Sequence, residues 1–362
     1  MRYVFFFLLL LLVMTTLSYN VGHAQQNKTE WEWSIMPSVP NASGFAGAFA
    51  GQVDAGILLL GGANFPDGKM PWEGGTKHWT DKIFFFKNDG SEWQERGKLP
   101  MRLGYGASAS IDNTLLLAGG SNESGHHDKV YSITMDSDSL HIVVLPSLPM
   151  TLANMSGILI GRTWYVVGGL AKPDMAQAEN VCFSLDLEQP EYGWEICAPL
   201  PGEGRMLAVL GTDGTSLYVF SGVALRDGQR HYLKDAYRYQ PRQKWQKLED
   251  LPHAVAAAPS PCFYHSATQQ FFIFGGDDGE LAHVQLGMSH PGFSNKILIF
   301  DAKQRKWYDE QIMALSDILP PVTTTAIIVG NNIVLPMGEV KPGVRTSKVI
   351  QGNIAPHQTK NP

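Results

Sequence analysis

The sequence predicts an all-β chain folded as a ring of six sheets, and three observations carry that expectation. First, an apolar run closed by a small-residue pair recurs six times. It appears as ILLLGG ending at Gly62, LLLAGG at Gly120, WYVVGG at Gly169, LYVFSG at Gly222, FFIFGG at Gly276 and IVLPMG at Gly338, spaced by 49 to 62 residues. Second, a tryptophan stands seven residues ahead of a proline from Trp33 to Pro40, Trp93 to Pro100, Trp194 to Pro201 and Trp245 to Pro252. Third, 37 glycines and 22 prolines in 362 residues, with 44% hydrophobic and 17% charged residues, suit short strands joined by turns and argue against disorder.

Taken in chain order, the first element is an address. Arg2, an apolar run from Val4 to Met14 and the small-residue end Gly22-His23-Ala24 predict a signal peptide over residues 1–24, with the mature chain starting near Gln25. The apolar run falls short of the ~20 residues that span a bilayer. No cysteine follows it to accept a lipid. An exported protein without a membrane span is expected, periplasmic in a Gram-negative host.

The strand of WSIMPSVP comes next, ahead of any glycine pair and so without a unit of its own. Six units follow. The second has Ile142 where tryptophan is expected, and the fifth has Trp307 with a longer run to Pro320. The sixth runs through TTTAIIVG, IVLPMG and SKVIQGNI and ends with no tryptophan. A period near fifty residues with four strands per unit resembles the kelch type of β-propeller. Residues 25–362 are therefore expected to form a single six-bladed domain, with the early strand completing the last blade and removing an open sheet edge. In such a ring the glycines allow close backbone approach at the hub and the tryptophans pack between blades. No helix or P-loop lysine follows the glycines, so they are not a phosphate loop.

Composition limits the partners. A formal charge of −6 and no run of Lys and Arg leave no field for nucleic acid, and a small molecule is the better expectation. The three cysteines are odd in number and lack CxxC spacing; Cys182 and Cys197 could face each other on neighbouring strands, as free thiols or as one disulfide. His78 and the pair His126-His127 have no partner at a ligand spacing, so neither a metal nor another cofactor is expected. Asn27, Asn41, Asn122 and Asn154 head N-x-[ST] sequons, relevant only in a glycosylating host.

Propeller topology puts the loop after each glycine pair and the loop before each innermost strand on one face. Glu339, Lys341 and Arg345 of GEVKPGVRT belong there, as do Asn64, Phe65 and His78; Arg102 and Arg205 enter from the other loop class. Loops carried on a rigid scaffold are where binding sites concentrate. On residue types alone, Glu339 and Arg345 read first as an exposed ion pair across a Pro-Gly turn, worth little energetically.

GEVKPGVRT, GFAGAFAG at Gly44 to Gly51 with the following LLLGGANF, and RLGYGAS at Arg102 to Ser108 together resemble the N-acetylneuraminate epimerases, the bacterial sialic acid mutarotases, which are exported six-bladed kelch propellers. The order of these motifs looks like a circular permutation of that family. The resemblance implies anomer exchange of a free sugar acid, with Glu339 as acid/base and Arg345 on the sugar carboxylate or the developing charge. Asn64, Arg102, Arg205 and Lys341 are the candidate substrate-binding residues. A non-catalytic glycan- or protein-binding kelch propeller is the competing expectation, and it would not need Glu339.

Overall fold

The computed structural model describes residues 30–136, 139–315 and 318–354; the expected leader at 1–24 and the Asn27 sequon lie outside them. From Trp31 onward the chain forms six antiparallel four-stranded sheets around a common axis. Blade one is Phe49–Val53, Gly56–Leu60, Lys82–Lys87 and Trp93–Lys98, from the hub outward. Blades two to five repeat that order. In blade six, Ile327–Val329, Asn332–Lys341 and Val344–Ile354 are completed by Trp31–Met36, paired from Trp31 with Ile354 to Met36 with Val349. This is the closure expected from the early Trp-Pro strand. Among the described residues there is no α-helix, and no helix long and apolar enough to cross a membrane.

Apolar faces of neighbouring blades stack to make the core. Leu58 and Leu60 of blade one bury against Leu115 and Leu117 of blade two, and Phe220 of blade four packs with Phe271 and Phe300 of blade five. Each such side chain contributes about 1.5–3 kcal/mol on leaving water.

The Trp-Pro spacing has a direct cause. The indole N–H of Trp93 donates to the Pro37 carbonyl at 2.8 Å, Trp194 to Pro146 at 2.9 Å, Trp245 to Ala198 at 2.9 Å and Trp307 to Glu249 at 3.0 Å. Each acceptor lies three residues before the closing proline of the preceding blade. The motif is thus a latch from the outer-strand tryptophan of one blade to the segment just after the outer strand of the blade before it.

The glycine pair divides its labour. Its first position has φ of 53° to 68°, which Ser221 and Met337 also adopt, whereas the second has φ of 92° to 113° and is glycine in all six blades. A Cβ on Gly338 would stand 2.6 Å from the Val322 carbonyl oxygen. Gly338→Ala should therefore lose ~1–3 kcal/mol of stability, read as a lower urea midpoint at unchanged slope. Gly330→Ala is the control for the clash alone, because its φ of 58° is also left-handed while an added Cβ there meets nothing within 4 Å.

At the hub the six blades are tied head to tail by backbone hydrogen bonds. Tyr105 N–H donates to Gly47 C=O at 2.7 Å, Asn154 to Tyr105 at 2.7 Å, Leu207 to Asn154 at 2.8 Å, Ala257 to Leu207 at 2.9 Å, Thr323 to Ala257 at 2.8 Å and Gly47 to Thr323 at 2.8 Å. The ring closes on itself. All six residues have left-handed φ, between 53° and 66°.

Cys197 N–H donates to the Cys182 carbonyl at 2.9 Å, so the two lie on neighbouring strands as expected, and both are free thiols. A hydrogen bond between the thiols pulls Cys197 down to about 7, while that bond and burial push Cys182 up.

Candidate active site

The residue just after each glycine pair pairs with the residue just before each hub residue, through bridges such as Ala46 with Ala63 and Val322 with Glu339. Six equivalent positions thus ring one mouth of the axis: Ala63, Ser121, Leu170, Val223, Asp277 and Glu339. Two of them, on adjacent blades, are carboxylates. Above the hub ring lies a cavity of about 790 Å³ to which both contribute.

Glu339 reaches it through an unusually long hairpin. Asn332–Lys341 and Val344–Ile354 continue past the glycine position, turning at Pro342-Gly343 with Gly343 at φ 81°, the left-handed second position of a type II turn. Glu339 lies opposite Arg345, and a register shift between Glu339 and Lys341 marks a β-bulge of the kind that re-aims a side chain. The Arg345 Nη2 is 3.6 Å from Glu339 Oε2, and Glu339 Oε1 accepts the Gly343 N–H at 2.5 Å. Arg345 lies 4.7 Å over the Phe65 ring, and its side chain is only 5% exposed. Its Nε and Nη1 are buried with no hydrogen-bond partner among the described residues. A buried guanidinium with two unused donors is costly unless something acidic meets it.

The other expected site residues go elsewhere. Asn64 is buried and donates to the Gly44 carbonyl at 3.0 Å, pinning the loop before the first innermost strand. Lys341 donates to the Met288 carbonyl at 2.9 Å, bracing the hairpin against an insert of blade five. Arg102 is an exposed rim charge, 3.3 Å from Glu123. Arg205 has no solvent exposure and meets Asp235 through a double contact of 2.6 and 3.0 Å. Burial pushes the Asp235 carboxyl up, but the hydrogen bonds and charge of Arg205, helped by the Tyr237 hydroxyl, outweigh it and hold the carboxyl below its usual value. None of these four lines the cavity. Their loops are on the expected face; their side chains found nearer partners.

Several lining residues were not foreseen. Asp277 accepts the Tyr232 hydroxyl at 2.7 Å and the Gly279 N–H at 3.0 Å. Burial, then the Asp277 charge and hydrogen bond, push the Tyr232 phenol up to about 12, so it stays protonated. His126 stands at the wall with Nδ1 2.9 Å from the Leu170 carbonyl, and burial lowers its pKa, so the ring is a neutral hydrogen-bonding group at pH 7. Tyr105, Lys77 and Arg230 also line the cavity, with Asn122, Asn154 and Asp174 among its other polar residues. Aligning the six units on their second glycine would have exposed Asp277, which follows Gly276 as Glu339 follows Gly338.

A family model described as N-acetylneuraminate epimerase matches residues 14–142 and 145–287. The N-acetylneuraminate epimerase of Haemophilus influenzae (strain PittEE) is 28% identical over 229 residues, 57% of this chain and 58% of that protein. That of Salmonella enteritidis PT4 is 36% identical over 115 residues, 29% of each. The chain thus aligns with little more than half the length of the Haemophilus relative and less than a third of the Salmonella one. With the family model spanning most of the sequence, and the six-bladed ring in place, the chain belongs to the N-acetylneuraminate epimerase family.

Proposed function

We propose that this chain interconverts the α and β anomers of N-acetylneuraminate or a related free sugar acid by acid/base ring opening, as an isomerase that uses no cofactor. The observation that carries this reading is the Glu339–Arg345 pair, set in a cavity with two guanidinium donors unused. The cavity falls in the ~300–1,000 Å³ range of small-molecule sites. Arg345 suits the sugar carboxylate, because guanidinium meets carboxylate through two parallel hydrogen bonds. Glu339 suits the anomeric hydroxyl: taking its proton starts ring opening, and rotation and reclosure on the other face deliver the other anomer. Such sugars exchange anomers unaided in water, so an acid/base contribution of ~10²–10⁴-fold already gives a useful catalyst. An exported location belongs to the same proposal and rests on the leader-like residues 1–24.

The test is a proton NMR time course of freshly released α-N-acetylneuraminate with and without the protein. Faster approach to the β form in the presence of protein is expected. A rate equal to the blank, repeated across other free sugar acids, removes the proposal.

A further inference from the structure

Opening a cyclic ketose needs two proton transfers, one from the anomeric hydroxyl and one to the ring oxygen. Glu339, which accepts a backbone N–H and lies beside Arg345, is equipped to take a proton. A donor for the ring oxygen has to come from elsewhere in the cavity. We infer that Tyr105 is that donor, an inference that rests on the anomer-exchange reading above.

Tyr105 is one of the six hub residues, and its backbone is fixed on both sides by the ring of hydrogen bonds. Its neighbours in that ring are Gly47 on one side and Asn154 on the other. Gly47 is the one glycine among the six, and a Cβ there would stand 2.5 Å from Tyr105 Cδ1. The phenol therefore lies across blade one's hub position, in the space a side chain would take. It extends from blade two towards blade six, where Arg345 Nη2 donates to its hydroxyl oxygen at 3.4 Å. Lys77 lies over the ring at 5.0 Å. The oxygen is an acceptor in its contact with Arg345, and no contact among the described residues uses the hydroxyl proton as donor. Glu339 Oε2 and Tyr105 Oη approach the same guanidinium nitrogen, at 3.6 and 3.4 Å, and all three residues line the one cavity.

The step balances. Glu339 carboxylate takes the proton of the anomeric hydroxyl, the C=O forms, and the bond from that carbon to the ring oxygen breaks as the ring oxygen takes the proton of Tyr105. The phenolate left behind lies beside the Arg345 guanidinium, which stabilises its charge. After the ketone rotates, Tyr105 recovers its proton from the attacking hydroxyl as the ring closes, and Glu339 returns its own to the carbonyl oxygen. No oxidant or co-reactant is consumed.

The experiment compares wild type with Tyr105→Phe, which removes one oxygen and leaves the ring over Gly47. Anomer exchange is followed by NMR, and binding is measured separately by calorimetry with the methyl ketoside of N-acetylneuraminate, which cannot open. Tyr105→Phe is expected to lower kcat by ~10²-fold while its Kd for the ketoside stays within about twofold of wild type, less than 1 kcal/mol. A kcat within threefold of wild type overturns the assignment. So does a loss of ketoside binding that accounts for the lost rate, since Tyr105 would then hold substrate rather than protonate it. A wild-type protein that binds the ketoside but never accelerates exchange overturns the anomer-exchange reading itself, and this inference with it.

Discussion

Glu339→Gln is expected to lower the protein-driven rate of anomer exchange by ~10²–10⁴-fold. The substitution keeps shape and an amide oxygen able to accept the Gly343 N–H, so the hairpin turn should stand. What disappears is the ability to take and return a proton. Binding should move the other way. Arg345 is almost fully buried and shares its charge with Glu339 at 3.6 Å; without that carboxylate, its whole charge is available to an acidic ligand. A Kd for the methyl ketoside equal to or tighter than wild type, together with a collapsed kcat, is the expected signature. Equal losses in binding and rate would assign Glu339 to holding the sugar instead.

The second large effect concerns stability. Arg205→Met should cost about 3–5 kcal/mol, because it breaks a buried double contact and leaves Asp235 without its countercharge. The sign of the pH dependence follows from the lowered Asp235 carboxyl. A carboxyl whose native pKa lies below its unfolded value of ~3.9 stabilises the fold above that value, and the contribution is lost as pH falls through the native pKa. Wild type should therefore show an acid limb in its urea midpoint that Arg205→Met has largely lost. Because Arg205 does not line the cavity, activity per folded molecule should be unchanged. A variant that is stable but inactive would return Arg205 to the site.

The contrast between Arg205 and Glu339 shows where sequence reading succeeds and where it stops. Second-position glycines and latching tryptophans are legible because backbone geometry admits few alternatives at those points: a φ near 100° with a carbonyl beside the missing Cβ, or an indole reaching one particular carbonyl. For Glu339 and Arg345 the Pro-Gly hairpin makes their opposition readable, while their part in a site was legible only through the resemblance of GEVKPGVRT to the N-acetylneuraminate epimerases. For Asn64, Arg102, Arg205 and Lys341 the loop class is readable and the side-chain direction is not. Each turned to a partner remote in sequence or to a carbonyl, as Arg205 did to Asp235 thirty residues on. Tyr105 escaped because its place depends on an empty space at Gly47, and a glycine does not announce which neighbour will fill the room it leaves.

The closed hydrogen-bond circuit at the hub bears on how the cavity attracts a ligand. In many proteins an anion is met by spare main-chain N–H groups at a helix start or in a nest of amides. Here the six hub amides are each spent on the preceding blade, and because all six bonds run in one rotational sense their dipoles circulate and largely cancel. The floor beneath the ligand is therefore electrically quiet. Any pull on an acid comes from the walls, where Arg345, Arg230 and Lys77 stand among the carboxylates of Glu339, Asp277 and Asp174, so an acid is drawn by where a cation sits in the cavity rather than by the summed charge.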